Sequence, residues 1–321
     1  MSVNPLWARH ATALISPGGP AVTPEAAQAY AADLHRAAAD ALPLVAEITG
    51  LPAEAARAGQ VPVIVVDRPG WAQAVAQQLA AMQELAGEKV PGLSSASVAL
   101  GAAVLARMIL GQFDPYWGTD GRLILTAPNI AQFRQQYDLD QRDLCLWVCV
   151  HELTHAVQYQ TAPWINEFIV SKFTQVLAEI EGTQSDSFFT TGAMGELNAV
   201  MSVLEGHAQY AMNSVSVALM PGKQRIIAAM ERKRNEKKLL QCKLAQLLSL
   251  DKKAAQYNEG GKFTRAVISE VGLAGFNRVW HDTESMPTFA ELKNPQQWIK
   301  RMNLGHPEQS LECPEVVEQK S

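Results

Sequence analysis

The stretch from Val148 to Trp164 reads VCVHELTHAVQYQTAPW, with His151 and His155 four residues apart and Glu152 beside the first. On an α-helix, residues at that spacing stack on one face one turn apart, so both imidazoles can address a single ion. Glu152, about 100° round the helix, can reach a water near that ion without ligating the ion. Zinc is the ion this pattern leads one to expect. It would polarise a carbonyl and bring its water's pKa towards about 7, with Glu152 taking the water's proton and handing it to a leaving amine.

With seven histidines in 321 residues, the pattern arises by accident in roughly one such chain in a hundred. The flanking residues Val148, Cys149, Val150, Leu153, Thr154, Ala156 and Val157 carry no charge, as a buried active-site helix requires. The competing reading is a core helix with two hydrogen-bonded histidines. It must also account for a carboxylate, Glu152, buried in the same stretch.

Zinc needs a third protein ligand and an open position for water. A local third histidine is excluded: where the extended HExxHxxGxxH pattern needs glycine and histidine, this chain has Gln158 and Thr161. Downstream, the segment from Leu197 to Gly222 holds a single Asp, Glu, Lys or Arg, and that residue is Glu205. A carboxylate amid Val203, Leu204, Ala208 and Met212 is costly to bury unless paired or bound to metal. Glu205 is therefore the expected third ligand.

His207, on a different side of the same helix, competes for that role. Failing it, His207 could donate a hydrogen bond to an oxyanion or a ligand. Tyr210 and Tyr257 are further candidates for oxyanion donor. Glu167, Glu179 and Glu196 sit near helix ends or among other charges and are expected on solvated faces.

The elements that must position these groups are mostly helical. Val22–Leu42 is expected as a helix capped by Thr23 with Pro24 at its first position, ending or kinking at Pro43. Strands are expected at Val63–Val66 and within Gly121–Asn129, with helices near 72–85 and 95–110 between them. The second strand could be an edge strand that aligns an extended substrate. Beyond Asp140 the pattern predicts helices over 141–160, 165–180, 195–217 and 223–250, shorter pieces to Trp298, and a loop over 181–192.

Composition narrows the class. The chain is 48% apolar and 18% charged with a net charge of -5, so a folded globular protein is expected, with no overall field drawing it to nucleic acid or acidic lipid. The basic cluster Arg232, Lys233, Arg234, Lys237 and Lys238 reads as a solvated helix face. Cys145, Cys149, Cys242 and Cys313 form no CxxC pair and read as reduced thiols. No secretory or membrane-spanning segment is expected, and residence in the cytoplasm follows by default.

The stretches VVDRPGW, LILTAPNI, HELTHAVQY followed by PW, MSVLEGHA and FNRVW, spread between about Val61 and Trp298, make the chain resemble the zincin-like metallopeptidases. These are bacterial, mostly actinobacterial proteins, some labelled as associated with deazaflavin coenzyme biosynthesis. Neither a phosphate-cradling glycine loop nor a flavin-type signature supports that association here. The resemblance implies His151, His155 and Glu205 as metal ligands and Glu152 as catalytic base.

Together these readings predict a predominantly helical α+β fold, zincin-like, with a small sheet. Residues 1–302 are expected to form one metallohydrolase domain, in one or two lobes about a cleft, followed by a disordered tail over 303–321. The expected function is zinc-dependent hydrolysis of a peptide or protein substrate. The alternative is a zincin-like scaffold that binds metal or a partner without turnover.

Overall fold

The computed structural model describes residues 3–87, 94–180, 192–247 and 259–305, leaving out the side chains of 177–180 and 236–247. The expected loop up to residue 191, the tail from 306, Tyr257 and Cys313 lie outside the described residues, as do the side chains of Glu179, Lys237, Lys238 and Cys242.

The chain opens with helix α1 (Pro5–Ile15), capped by Asn4, then α2 (Pro24–Thr49) and α3 (Pro52–Ala58). Thr23 caps α2 by accepting from the Ala26 N–H at 3.2 Å. Pro43 neither ends nor breaks this helix, contrary to expectation. Leu34, Ala37, Ala38, Ala41, Val45 and Thr49 form one buried stripe that runs past it, while Pro43 itself is exposed. Packing on the inner face holds the helix, and the hydrogen bond that proline cannot make is lost on the wet side.

Strand β1 (Val63–Val66) leads through α4 (Arg68–Leu85) and α5 (Ser95–Leu105) to β2 (Gly111–Asp114) and β3 (Arg122–Thr126). The sheet order is β1-β3-β2, with β1 parallel and β2 antiparallel to β3. β3 is therefore the central strand, and all five of its residues are buried. The expectation that it forms an edge is overturned: β2, a Gly-Gln-Phe-Asp stretch without a β-branched residue, lies outside it.

α6 (Ala127–Tyr137) follows β3 directly, and α7 (Gln141–Thr161) begins after Asp140, whose side chain accepts from the Asp143 N–H at 2.9 Å. α7 is buried along most of its length, because apolar residues occupy nearly every face from Leu144 to Val157. Then come α8 (Trp164–Ile180), α9 (Gly192–Ser214), α10 (Lys223–Leu247) and α11 (Glu259–Phe276), the last interrupted at Gly272. A 3-10 turn (Asn277–Trp280), α12 (Phe289–Lys293) and α13 (Pro295–Arg301) complete the described chain.

Two apolar clusters meet at the α7–α9 seam. The first joins α2, α3, β3 and most of α7 with the end of α9, including Leu34, Leu125, Leu144, Val150 and Met212. The second joins the first half of α9 to α11, α12 and α13 through Val203, Phe263, Trp280 and Trp298. A third, smaller cluster binds α1, α4 and α5 to the sheet. No helix among the described residues is long and apolar enough to cross a membrane.

Candidate metal centre

His151 and His155 project from the second half of α7 with their rings nearly perpendicular, at 88°, and their Nε2 atoms 3.2 Å apart. Glu205 reaches the same point from α9: its Oε2 is 3.6 Å from His151 Nε2 and its Oε1 3.7 Å from His155 Nε2. The donor atoms of the three residues all lie within 4.8 Å of one another, the one group of this kind found among the described residues. Tetrahedral zinc, with bonds of about 2.0–2.2 Å to such donors, spaces them about 3.3 Å apart. The observed spacing is within a few tenths of an ångström of that, and two imidazole lone pairs at 3.2 Å repel unless a proton or a cation lies between them. The donor set fits zinc.

The site is open on one side. The His151 and His155 side chains are 22% and 13% exposed and Glu205 is 51% exposed, which leaves solvent access for a water and a substrate. Glu205 thus departs from the buried carboxylate expected from its apolar neighbours: Val203, Leu204 and Ala208 are buried, while its own side chain faces the opening. Burial, with the charge of His155 second, pushes the His151 imidazole down to about 4, and Glu205 only partly opposes this. At neutral pH it is uncharged, the form a metal ligand must take.

Glu152 lies on the protein side of this point, 6% exposed. The Phe113 N–H on β2 donates to its Oε2 at 3.1 Å. At Gly111, two residues earlier, a Cβ would stand 2.8 Å from Glu152 Cγ and 2.9 Å from its Oε1. Any side chain there would displace the carboxylate from this position. Burial first, and then the negative charge of Glu205, raise the Glu152 carboxyl to about 8 against the pull of the Phe113 N–H. A buried carboxylate with a raised pKa beside a candidate cation site has the character that a general base requires.

Gln158, on the position that the extended pattern gives to glycine, is fully buried between α7 and α9. It touches His155 Nδ1 at 2.8 Å and His207 Nδ1 at 3.2 Å. His207 is itself buried, its ring 5.0 Å from that of Phe276 and 5.4 Å from that of Trp280, centroid to centroid. Burial and the nearby His155 push it down to about 3. It therefore sits behind His155 rather than in the opening.

Three consecutive residues of α9 face three ways. Glu205 faces the metal point and His207 faces Gln158. A Cβ on Gly206, between them, would clash with the backbone of Gly260 and Gly261 on α11.

Sequence reasoning passed over two neighbours of the site. Tyr159 stands one turn beyond His155, its ring 5.7 Å from Phe113. Burial, Tyr116 and Glu205 raise its phenol well above the usual range. The signal was present, since 151, 155 and 159 repeat at intervals of four and share one helical stripe. Gly111 had no signal, because only the fold brings β2 to α7. Of the remaining candidates, Tyr210 is partly exposed on α9 and Glu167 is exposed on α8, while Glu196 pairs with Lys172 at 2.8 Å. Cys145 and Cys149 are free and buried, and burial raises both thiols, Cys145 to about 11.

Residues 4–192 and 182–299 match the profile of the zincin-like metallopeptidases, and the chain belongs to that family. Among solved structures it is similar to a Chloroflexus aurantiacus protein described as a candidate hydrolase with a novel fold. The two share 27% identity with a TM-score of 0.64, over 94% of this chain and 99% of the other. No curated protein matches the chain significantly.

Proposed function

We propose that this protein is a zinc-dependent hydrolase that cleaves amide bonds in a peptide or protein substrate. The observation that carries the reading is the convergence of His151, His155 and Glu205 within 4.8 Å, with Glu152 buried beside it. Membership of a metallopeptidase family and likeness to a candidate hydrolase support it.

Zinc held by these three residues would supply Lewis acidity to a substrate carbonyl and make a nearby water more acidic. Glu152 accepts the proton of the attacking water and returns it to the leaving amine. In the metal-free site its carboxyl holds a proton up to about pH 8, and a divalent cation lowers that value and frees the base. The Phe113 N–H keeps the carboxylate aimed. Tyr159, on the same stripe as the ligands, is better placed than Tyr210 or the enclosed His207 to donate to the oxyanion. The buried free thiols fit a reducing compartment, and cytoplasmic residence is part of the proposal.

The test is zinc content after purification and titration, followed by cleavage of a peptide library by wild type and Glu152→Gln. Zinc retained with cleavage lost in the variant supports the reading. Equal background rates in both would instead leave a metal-binding scaffold without turnover.

A further inference from the structure

The contacts of Gln158 dictate a protonation state. Its amide nitrogen lies 2.9 Å from the Leu204 carbonyl oxygen and 3.2 Å from His207 Nδ1, and its amide oxygen lies 2.8 Å from His155 Nδ1. A carbonyl oxygen only accepts, so the group facing Leu204 must be the NH2. That settles which end of the amide is which, and places Oε1 against His155 Nδ1. An acceptor there requires that His155 Nδ1 carry the hydrogen, leaving the lone pair on Nε2. The second amide hydrogen faces His207 Nδ1, which puts the His207 proton on Nε2, a buried atom without a hydrogen-bond partner among the described residues.

We propose that Gln158 is a positioning residue that locks His155 in its Nδ1–H tautomer and so presents the Nε2 lone pair to the point where His151 and Glu205 converge. Leu204 immediately precedes Glu205, so a contact between α7 and α9 beside the third ligand also orients the amide that selects the tautomer of the second. Without α9 in place, the amide could turn over and the selection would be lost. The other imidazole has no such lock: His151 Nδ1 is buried without a hydrogen-bond partner among the described residues. This inference rests on reading the three residues as metal ligands, but not on turnover.

The experiment uses metal-free protein labelled with 15N at histidine, with zinc affinity measured separately by chelator competition. In wild type, His155 is expected to show a protonated Nδ1 and a bare Nε2. In Gln158→Met the two tautomers should mix and zinc affinity should fall about 10- to 100-fold, the usual cost of losing such a partner. Val200→Ala, a buried change elsewhere on α9, should lower the melting temperature while leaving both the tautomer and the zinc affinity as in wild type. A wild-type His155 protonated on Nε2 overturns the inference whether or not the variant folds, as does a Gln158→Met protein that binds zinc within twofold of wild type. A protein that passes both tests yet cleaves no peptide keeps the lock and loses the peptidase.

Discussion

Gly111 and Glu152 show how a single missing methyl can matter to chemistry. A side chain at 111 would press on Glu152 at Cγ, 2.8 Å away, and at Oε1, 2.9 Å away, and neither residue is one of the three donors. Gly111→Ala should therefore cut kcat while zinc affinity stays close to wild type. The loss is expected to be about 100-fold if the carboxylate moves by roughly 1 Å, and parallel zinc titration and steady-state kinetics would show it. An unchanged kcat would mean that Glu152 tolerates displacement and is not the base. Tyr159→Phe tests the neighbouring phenol, packed on Phe113: kcat should drop by about 10- to 1000-fold with little change in KM. A rise in KM alone would make Tyr159 a substrate contact rather than an oxyanion donor.

Between elements, the arrangement depends on how closely α9 can approach its neighbours. α9 meets α11 with Gly206 against Gly260 and Gly261, and a Cβ on Gly260 would overlap the Ser202 carbonyl. Backbone meets backbone at this crossing, so no side-chain adjustment can relieve an added methyl. Gly260→Ala is expected to cost about 1–3 kcal/mol of stability. Because Gly206 adjoins Glu205, it should also weaken zinc binding without touching a ligand. Denaturant titration of the metal-free protein and chelator competition measure the two effects, and a stability loss with full zinc affinity would show that α9 shifts as a unit with α7. On the other side of the site, β2 offers the Phe113 N–H to Glu152 because its partner β3 occupies only one of its edges.

For the whole molecule, the buried titratable groups make stability depend on pH. In the metal-free fold His151 and His207 fall from 6.5 to about 4 and about 3, so below pH 6.5 the unfolded chain binds protons that the folded chain refuses. Their contribution is lost as pH falls. Glu152 rises from 4.5 to about 8, so the folded chain keeps a proton that the unfolded chain releases, and that contribution is lost as pH rises between those values. Two histidines outweigh one carboxylate on the acid side, and above pH 6.5 the carboxylate prevails. Metal-free stability should peak near pH 6.5, with an acid slope of roughly 1 kcal/mol per pH unit. Urea melts across pH 4.5–8.5 with a chelator present check this, and a monotonic profile would contradict the burial of one of these groups. Excess zinc should raise stability further as its concentration exceeds Kd.

Local chemistry made much of this protein legible before any fold was known. The i, i+4 spacing of His151 and His155 is a property of one helix, and the β-branched run at 63–66 and the apolar run at 123–125 announce strands by their own side chains. The isolation of Glu205 in an uncharged stretch likewise needs no neighbour to be seen. What tertiary structure alone decided depends on residues far apart in the chain. β2 forms because β3 pairs with it, since Gly-Gln-Phe-Asp has little strand tendency of its own. Pro43 is carried through α2 by packing on the far face of that helix. Glu205 is exposed because α9 turns it to the opening while its neighbours enter the core. Gln158, visible in the sequence only as the absence of a glycine, acquires its role from the Leu204 carbonyl and His207 across the seam. Spacing along a helix sets which side chains can share a face, but only the packing of that face against another helix sets which of their atoms carries the proton.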